Sequence, residues 1–152
     1  AGAYEYGLEG YPKDAQAAKR DILACALAME ATAADLDAPV IQKSLYHAYA
    51  KAERFNDARK WLDKAIQAGS YAAISERGIS HMLGSNGETK DLVQAYAYFN
   101  LAASIRPEPF PKASSMIAEN RDMIAKEMTG AQIAEAQRRA RQWLSDTARK
   151  AA

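Results

Sequence analysis

Apolar residues recur at intervals of three and four along most of this chain, the spacing that gathers them on one face of an α-helix. The first long stripe is Ala15, Ala18, Ile22, Cys25, Ala26 and Met29. It predicts a helix over 15–34, capped by Asp14, whose carboxylate can accept an orphan amide of the first turn. Upstream, Ala3 to Glu9 reads as the remainder of a partner helix cut off by Gly10 and Pro12. A second stripe, Ile41, Leu45, Ala48, Tyr49 and Ala52, starts after Pro39, where proline is tolerated because a first-turn amide has no partner to lose. Arg54 to Asn56 reads as a short turn, with Asn56 or Asp57 capping the third helix. Its Ala58, Trp61, Leu62, Ala65 and Ile66 form the cleanest amphipathic pattern in the chain, and Gly69 ends it as a left-handed residue.

The second half follows the same rules. Ser70 is placed to cap a helix over 71–83, and the loop Gly84 to Lys90 contains two glycines. Asp91 and Gln94 have the spacing of a capping-box variant, opening a helix that runs to Ile105. Three prolines between Arg106 and Pro111 predict an extended connector. Met116, Ile117, Asn120, Ile124 and Met128 mark a further helix. Thr129 and Gln132 then read as a capping box before the last stripe, Ile133, Ala136, Ala140, Trp143 and Leu144.

Three of these helices repeat one signature. Ala18, Ala58 and Ala95 align, followed by Ile22, Leu62 and Phe99 and then by Cys25, Ala65 and Ala102. A period of roughly forty residues is that of stacked helical hairpins, whose usual work is to present binding surfaces. The expectation is an all-α chain: one helical-repeat domain over 1–152, with imperfect repeats at 3–34, 39–69 and 71–105. A helical pair over 112–148 would cap the C-terminal end of the stack. On this alignment Cys25 packs like the alanines it matches, and Trp61, Tyr98, Phe99 and Trp143 belong to the core.

Composition supports this and narrows the functional classes. Much of the 49% hydrophobic content is alanine, and valine occurs only at Val40 and Val93, a helix-forming balance that is poor for strands. Lys plus Arg number 20 against 19 Asp plus Glu, which disfavours nucleic acid as a partner. No apolar run reaches the 18 or so residues of a membrane-spanning helix, so no integral membrane segment is expected. Cys25 is the single cysteine, which excludes an internal disulfide.

With the aligned alanines, the glycine-ended hairpins and the long third loop, the chain resembles the Sel-one-like repeat (SLR) proteins, relatives of the tetratricopeptide repeat. The match is strongest over Tyr71 to Ser104. There Gly78 on the first helix, Gly84 and Gly87 in the loop, Lys90-Asp91, and then Ala95, Tyr98, Phe99, Ala102 and Ala103 follow the family pattern. Arg54 to Gly69, with Leu45 and Tyr49 before it, is similar to a plainer tetratricopeptide unit. The stretch from Asn120 to Trp143 is similar to the closing helices that follow such repeats in many bacterial proteins. The first unit departs from the pattern: most of its first helix is missing, and Asp35-Leu36-Asp37-Ala38-Pro39 replaces the usual glycine-bearing linker. The resemblance implies a right-handed superhelix, a concave face built mainly from first helices, and work as an adaptor. It also favours the bacterial periplasm or cell envelope over the cytoplasm; no cofactor is expected.

The chemistry-bearing residues are sparse. His47 and His81 with one cysteine do not make a convergent ligand set, so no metal site is assigned. Ser80 and His81 are sequence neighbours and point about 100° apart on a helix, so no catalytic residues are assigned either. The loop Gly84 to Lys90 has neither the preceding strand nor the spacing of a phosphate loop. Arg138, Arg139, Arg141, Arg149 and Lys150 make a basic tail, read as a solvated face with cations near a helix C-terminus.

The functional expectation is a non-catalytic scaffold that binds a protein or peptide through a groove lined by first helices. An envelope assembly factor or the immunity partner of a toxin would be one version. Helical projection places Lys43, His47 and Lys51 on the second helix and Ser75, Ile79 and Met82 on the next repeat toward that groove. The alternative class is a hydrolase whose site in the groove involves His47, His81 and Glu76.

Overall fold

The computed structural model describes residues 14–105 and 111–151, with side chains described over 14–105 and 115–150. Among these residues there are seven helices and no strand. The chain divides into two compact units, Ala1–Ala68 and Gly69–Ala152. The predicted helix at Ala3 to Glu9 lies outside the described residues, as does all of the proline connector except Pro111.

The first unit contains α1 (Ala15–Thr32), α2 (Pro39–Lys51) and α3 (Phe55–Gln67), with α2 packed on both others. Asp14 caps α1 as expected, its Oδ1 accepting from the amides of Gln16 and Ala17, each at 3.0 Å. All five residues of the α3 stripe are buried, with Ala65 fully so. The α2–α3 turn closes through Glu53 at φ 58, a left-handed conformation uncommon for a side-chain-bearing residue. That sharp turn starts α3 at Phe55, with Arg54 in the N-cap position and no side-chain cap. Asn56 and Asp57 therefore lie inside the helix, and Asp57 pairs with Arg54 at 3.0 Å instead of capping. The loop before α2 is tied down by Gln42, which is buried and donates through Nε2 to the Leu36 carbonyl at 3.1 Å.

The α1 stripe is narrower than its repetition implies. Ala17, Ala18 and Ala26 are buried, but Cys25 is exposed, unlike Ala65 and Ala102, which are inaccessible. The alignment carried Cys25 into the core because it counted positions. Among the described residues α1 rests chiefly on α2, and a helix with one neighbour buries a thinner strip than one packed on several.

The second unit contains α4 (Tyr71–Leu83), α5 (Leu92–Ile105), α6 (Pro111–Ala125) and α7 (Gly130–Ala151). Its centre is α5, which packs against α4, α6 and α7. Apolar residues surround that helix, so it can bury Ala95, Tyr96, Ala97, Phe99, Leu101 and Ala102 at once. Three sequence-predicted caps form here, at Ser70, Asp91 and Thr129, and Gly84 adds a left-handed C-cap. Ser70 Oγ accepts from the Ala73 amide at 3.3 Å, Gly84 ends α4 at φ 66, and Asp91 Oδ1 accepts from the Gln94 amide at 3.0 Å. Thr129 and Gln132 form a reciprocal capping box: the Thr129 amide donates to Gln132 Oε1 at 2.8 Å, and the Gln132 amide donates to Thr129 Oγ1 at 3.2 Å. Trp61 and Phe99 are core residues, whereas Tyr98 and Trp143 remain half-buried.

Candidate functional site

The first-helix residues singled out by sequence fall into both units, and each set stands on its own helix. On α2, Lys43, His47 and Lys51 recur every four residues and so share a face; Lys43 is half-buried, while His47 and Lys51 are exposed. Leu45, Tyr46 and Tyr49 are the buried side of the same helix. The Tyr46 ring lies 4.9 Å from the His47 ring, centroid to centroid, tilted by 53°. The α2 face is therefore a cationic ridge with one imidazole at its centre.

On α4 the accessible face is rotated from the expected one. Ser75 is buried and its hydroxyl donates to the Tyr71 carbonyl at 2.9 Å, so it back-bonds to its own helix. Ile79 and Met82 are half-buried. Ala72, Glu76, Ile79 and Leu83 share the open ridge, with Leu83 exposed. Projection from sequence missed this rotation because Gly78 and Ser80, which lack bulky apolar side chains, are both buried against neighbours. Periodicity weights large apolar groups and understates such small inward-facing positions.

The α4–α5 loop supplies the most organised polar cluster. Asn86 and Gly87 both take positive φ, 55 and 79, and turn the chain so that Glu88 points back at α4. Glu88 Oε1 lies 3.6 Å from Arg77 Nη1, and Glu88 Oε2 lies 3.9 Å from His81 Nε2. The other imidazole nitrogen, Nδ1, is 3.2 Å from the Thr89 carbonyl, which can only accept, so Nδ1 carries the proton. The Asp91 amide donates to the His81 carbonyl at 2.9 Å, and the His81 ring stacks on Tyr98 at 5.8 Å with only 5° between planes. His81 thus ties the repeat loop to α4 through Nδ1 and its backbone carbonyl, while its ring face packs on Tyr98 of α5. Arg77 and Glu88 carry this anchor; loop residues have no periodicity, which is why Glu88 gave no sequence signal.

The hydrolase constellation does not assemble within one unit. His47 belongs to the first, whereas Glu76 and His81 belong to the second, where His81 is engaged by the loop. Ser80 is buried beside it. Among the described residues no three His, Cys, Asp or Glu side chains are grouped to hold a metal ion, and no helix is long and apolar enough to cross a membrane.

No protein-family model and no curated protein matches the sequence. Among solved structures, the chain is similar to a protective antigen present in uropathogenic Escherichia coli strains and displaying an SLR fold. The identity is 21% and the TM-score 0.50, over 99% of this chain. The fold is that of the Sel-one-like repeats. It agrees with paired helices, aligned small residues at Ala58, Ala95 and Ala102, and a glycine-containing loop folded back on its own hairpin. The chain spans 37% of the length of that antigen, so the SLR likeness concerns architecture.

Proposed function

We propose that this SLR chain is a non-catalytic interaction module that binds a protein or peptide through its first-helix faces. One observation supports this most: the regular positions of the second and third repeats are spent on packing, while the irregular first-helix ridges stay open. Ala58, Leu62, Ala65, Ala95, Phe99 and Ala102 are all buried, whereas His47, Lys51 and Leu83 are exposed. A fold that spends its repeated positions on hairpin cores and leaves its irregular ridges outside is suited to recognition. The Lys43, His47 and Lys51 ridge would contact acidic or aromatic groups, and Ile79 and Met82 would contribute apolar area. An envelope scaffold or a toxin's immunity partner are versions of this role that the SLR likeness permits.

The test is a triple variant, Lys43→Glu, His47→Ala and Met82→Glu, compared with the parent chain in affinity capture from the source cell. The expected result is loss of the captured partner with helical content and unfolding midpoint preserved. Retention of the same partner at the same affinity by a folded triple variant would overturn the surface assignment.

A further inference from the structure

A second binding feature lies away from the first-helix ridges, between α5 and α7 of the second unit. Here Tyr98 and Leu101 of α5 face Ala140 and Trp143 of α7 across a partly open cavity of about 120 Å³, with Gln94 and Arg139 also lining it. A cavity of about 150 Å³ with apolar walls holds a benzene-sized molecule, so this one fits a branched aliphatic group such as a leucine side chain. Its walls are two aromatic rings that are only half-buried, and the Tyr98 ring is held from behind by the stacked His81.

The polar groups beside the cavity have an uneven charge balance. Glu135 takes bonds from two guanidinium groups, Arg138 Nε and Nη2 and Arg139 Nε, each at 2.8 Å. One carboxylate thus serves two cations, and a guanidinium has five N–H donors to offer. The other acid on this stretch of α7, Asp146, is itself paired with Arg149 and accepts from Gln142. Among the described residues Arg139 is the one charged residue lining the cavity, and the carboxylate that pairs with it is shared with Arg138, which leaves guanidinium donors for an incoming anion.

The geometry points to a docking site for an acidic peptide that inserts one leucine-sized side chain between Tyr98 and Trp143 while an adjacent carboxylate pairs with Arg139. This inference shares with the proposed function only the premise that the chain binds peptides, and it places the contact on a different face.

The test uses three acetylated, amidated tripeptides, Glu-Leu-Glu, Gln-Leu-Gln and Glu-Ala-Glu, titrated into the full chain and followed by backbone amide chemical shifts. Glu-Leu-Glu is expected to shift Gln94 to Leu101 and Arg139 to Trp143 saturably, with a dissociation constant of roughly millimolar order. Gln-Leu-Gln is expected to bind the same residues up to about fivefold more weakly, the usual reach of a partly exposed ion pair. Glu-Ala-Glu is expected not to saturate. In Arg139→Gln, whose helical content serves as the folding control, the two leucine peptides should become equal. Three results would overturn the site: no saturable shift around the cavity, equal binding of all three peptides, or an unchanged preference for the acidic peptide in Arg139→Gln. Shifts confined to α2 and the open ridge of α4 would also overturn it while supporting the first-helix reading; failure of that reading alone would leave the cavity shifts intact.

Discussion

Gly78 exists because of Phe99: a methyl group added at Gly78 would lie 2.7 Å from Phe99 Cε1 and 2.9 Å from Cδ1. Phe99 is fully buried, so its ring has no open side into which to retreat. The missing side chain lets the α4 backbone lie directly on an aromatic face of α5. Gly78→Ala gains about 1 kcal/mol in helix propensity but meets an overpacking cost of about 1–3 kcal/mol. The expected outcome is net destabilisation of about 1 kcal/mol by urea unfolding, reversed in sign when Phe99→Leu makes room. Gly130→Ala is the control, since nothing lies within 4 Å of its added methyl, and it should not destabilise.

Tyr49 joins α1 to α2 by donating its hydroxyl to Glu30 Oε2. Burial, then the hydrogen bond to Glu30 and the charge of that carboxylate, push its pKa up to about 12 from an ordinary value of 10.0. A raised folded-state value means the contribution is fully present below about pH 10 and is lost as pH rises through 12. Tyr49→Phe should cost about 1.5–3 kcal/mol near neutral pH, the range of a hydrogen bond to a charged acceptor. The difference in unfolding free energy between parent and variant should shrink between pH 10 and 12. A constant difference across that window would show that neither burial nor Glu30 holds the Tyr49 hydroxyl protonated.

Glu88 is expected to set the order of the α4–α5 loop. Glu88→Ala removes the carboxylate facing Arg77 and His81, both on the buried side of α4. Stability should fall by about 1–3 kcal/mol, because one partner of a mostly buried pair is left behind. Amide exchange should accelerate first at Glu88 and Asp91, whose amides donate to Ser85 and His81, while α3 stays protected. Glu88→Gln should recover part of the loss if hydrogen bonding rather than charge dominates.

Glu135 tests the cation-rich stretch of α7. Hydrogen bonds from Arg138 and then Arg139 lower its pKa to about 2 from an ordinary 4.5. For a lowered carboxylate the pairing is present above about pH 4.5 and lost as pH falls through 2. The side-chain carboxyl carbon resonance of Glu135 should titrate well below those of other glutamates, and Arg138→Gln should return its midpoint toward 4.5 by removing the larger contribution. A midpoint that Arg138→Gln leaves in place would contradict the pairing.

What could be read from sequence is what depends on near neighbours. The stripe Ala58 to Ile66, the caps at Asp14, Ser70, Asp91 and Thr129, and the left-handed Gly69 are all local devices, set by residues within about one turn. The hairpin period and the SLR fold follow from repeating them. Lys43, His47 and Lys51 could be placed together because four-residue spacing on one helix is also local.

Tertiary structure decided which of those faces meets another helix and which stays open. Cys25 shares the repeat position of Ala65 and Ala102 yet is exposed, whereas Ala17, Ala18 and Ala26 of the same helix are buried. Ser75 occupies an expected contact position yet is buried, and Glu88, silent in a loop, reaches back to α4 because Asn86 and Gly87 turn left-handed. Gly78 against Phe99, and the cavity between Tyr98 and Trp143, join residues at least twenty positions apart in the chain. The physical reason is that periodicity reports a helix's own angular pattern, whereas burial depends on how many neighbours arrive, and from which side.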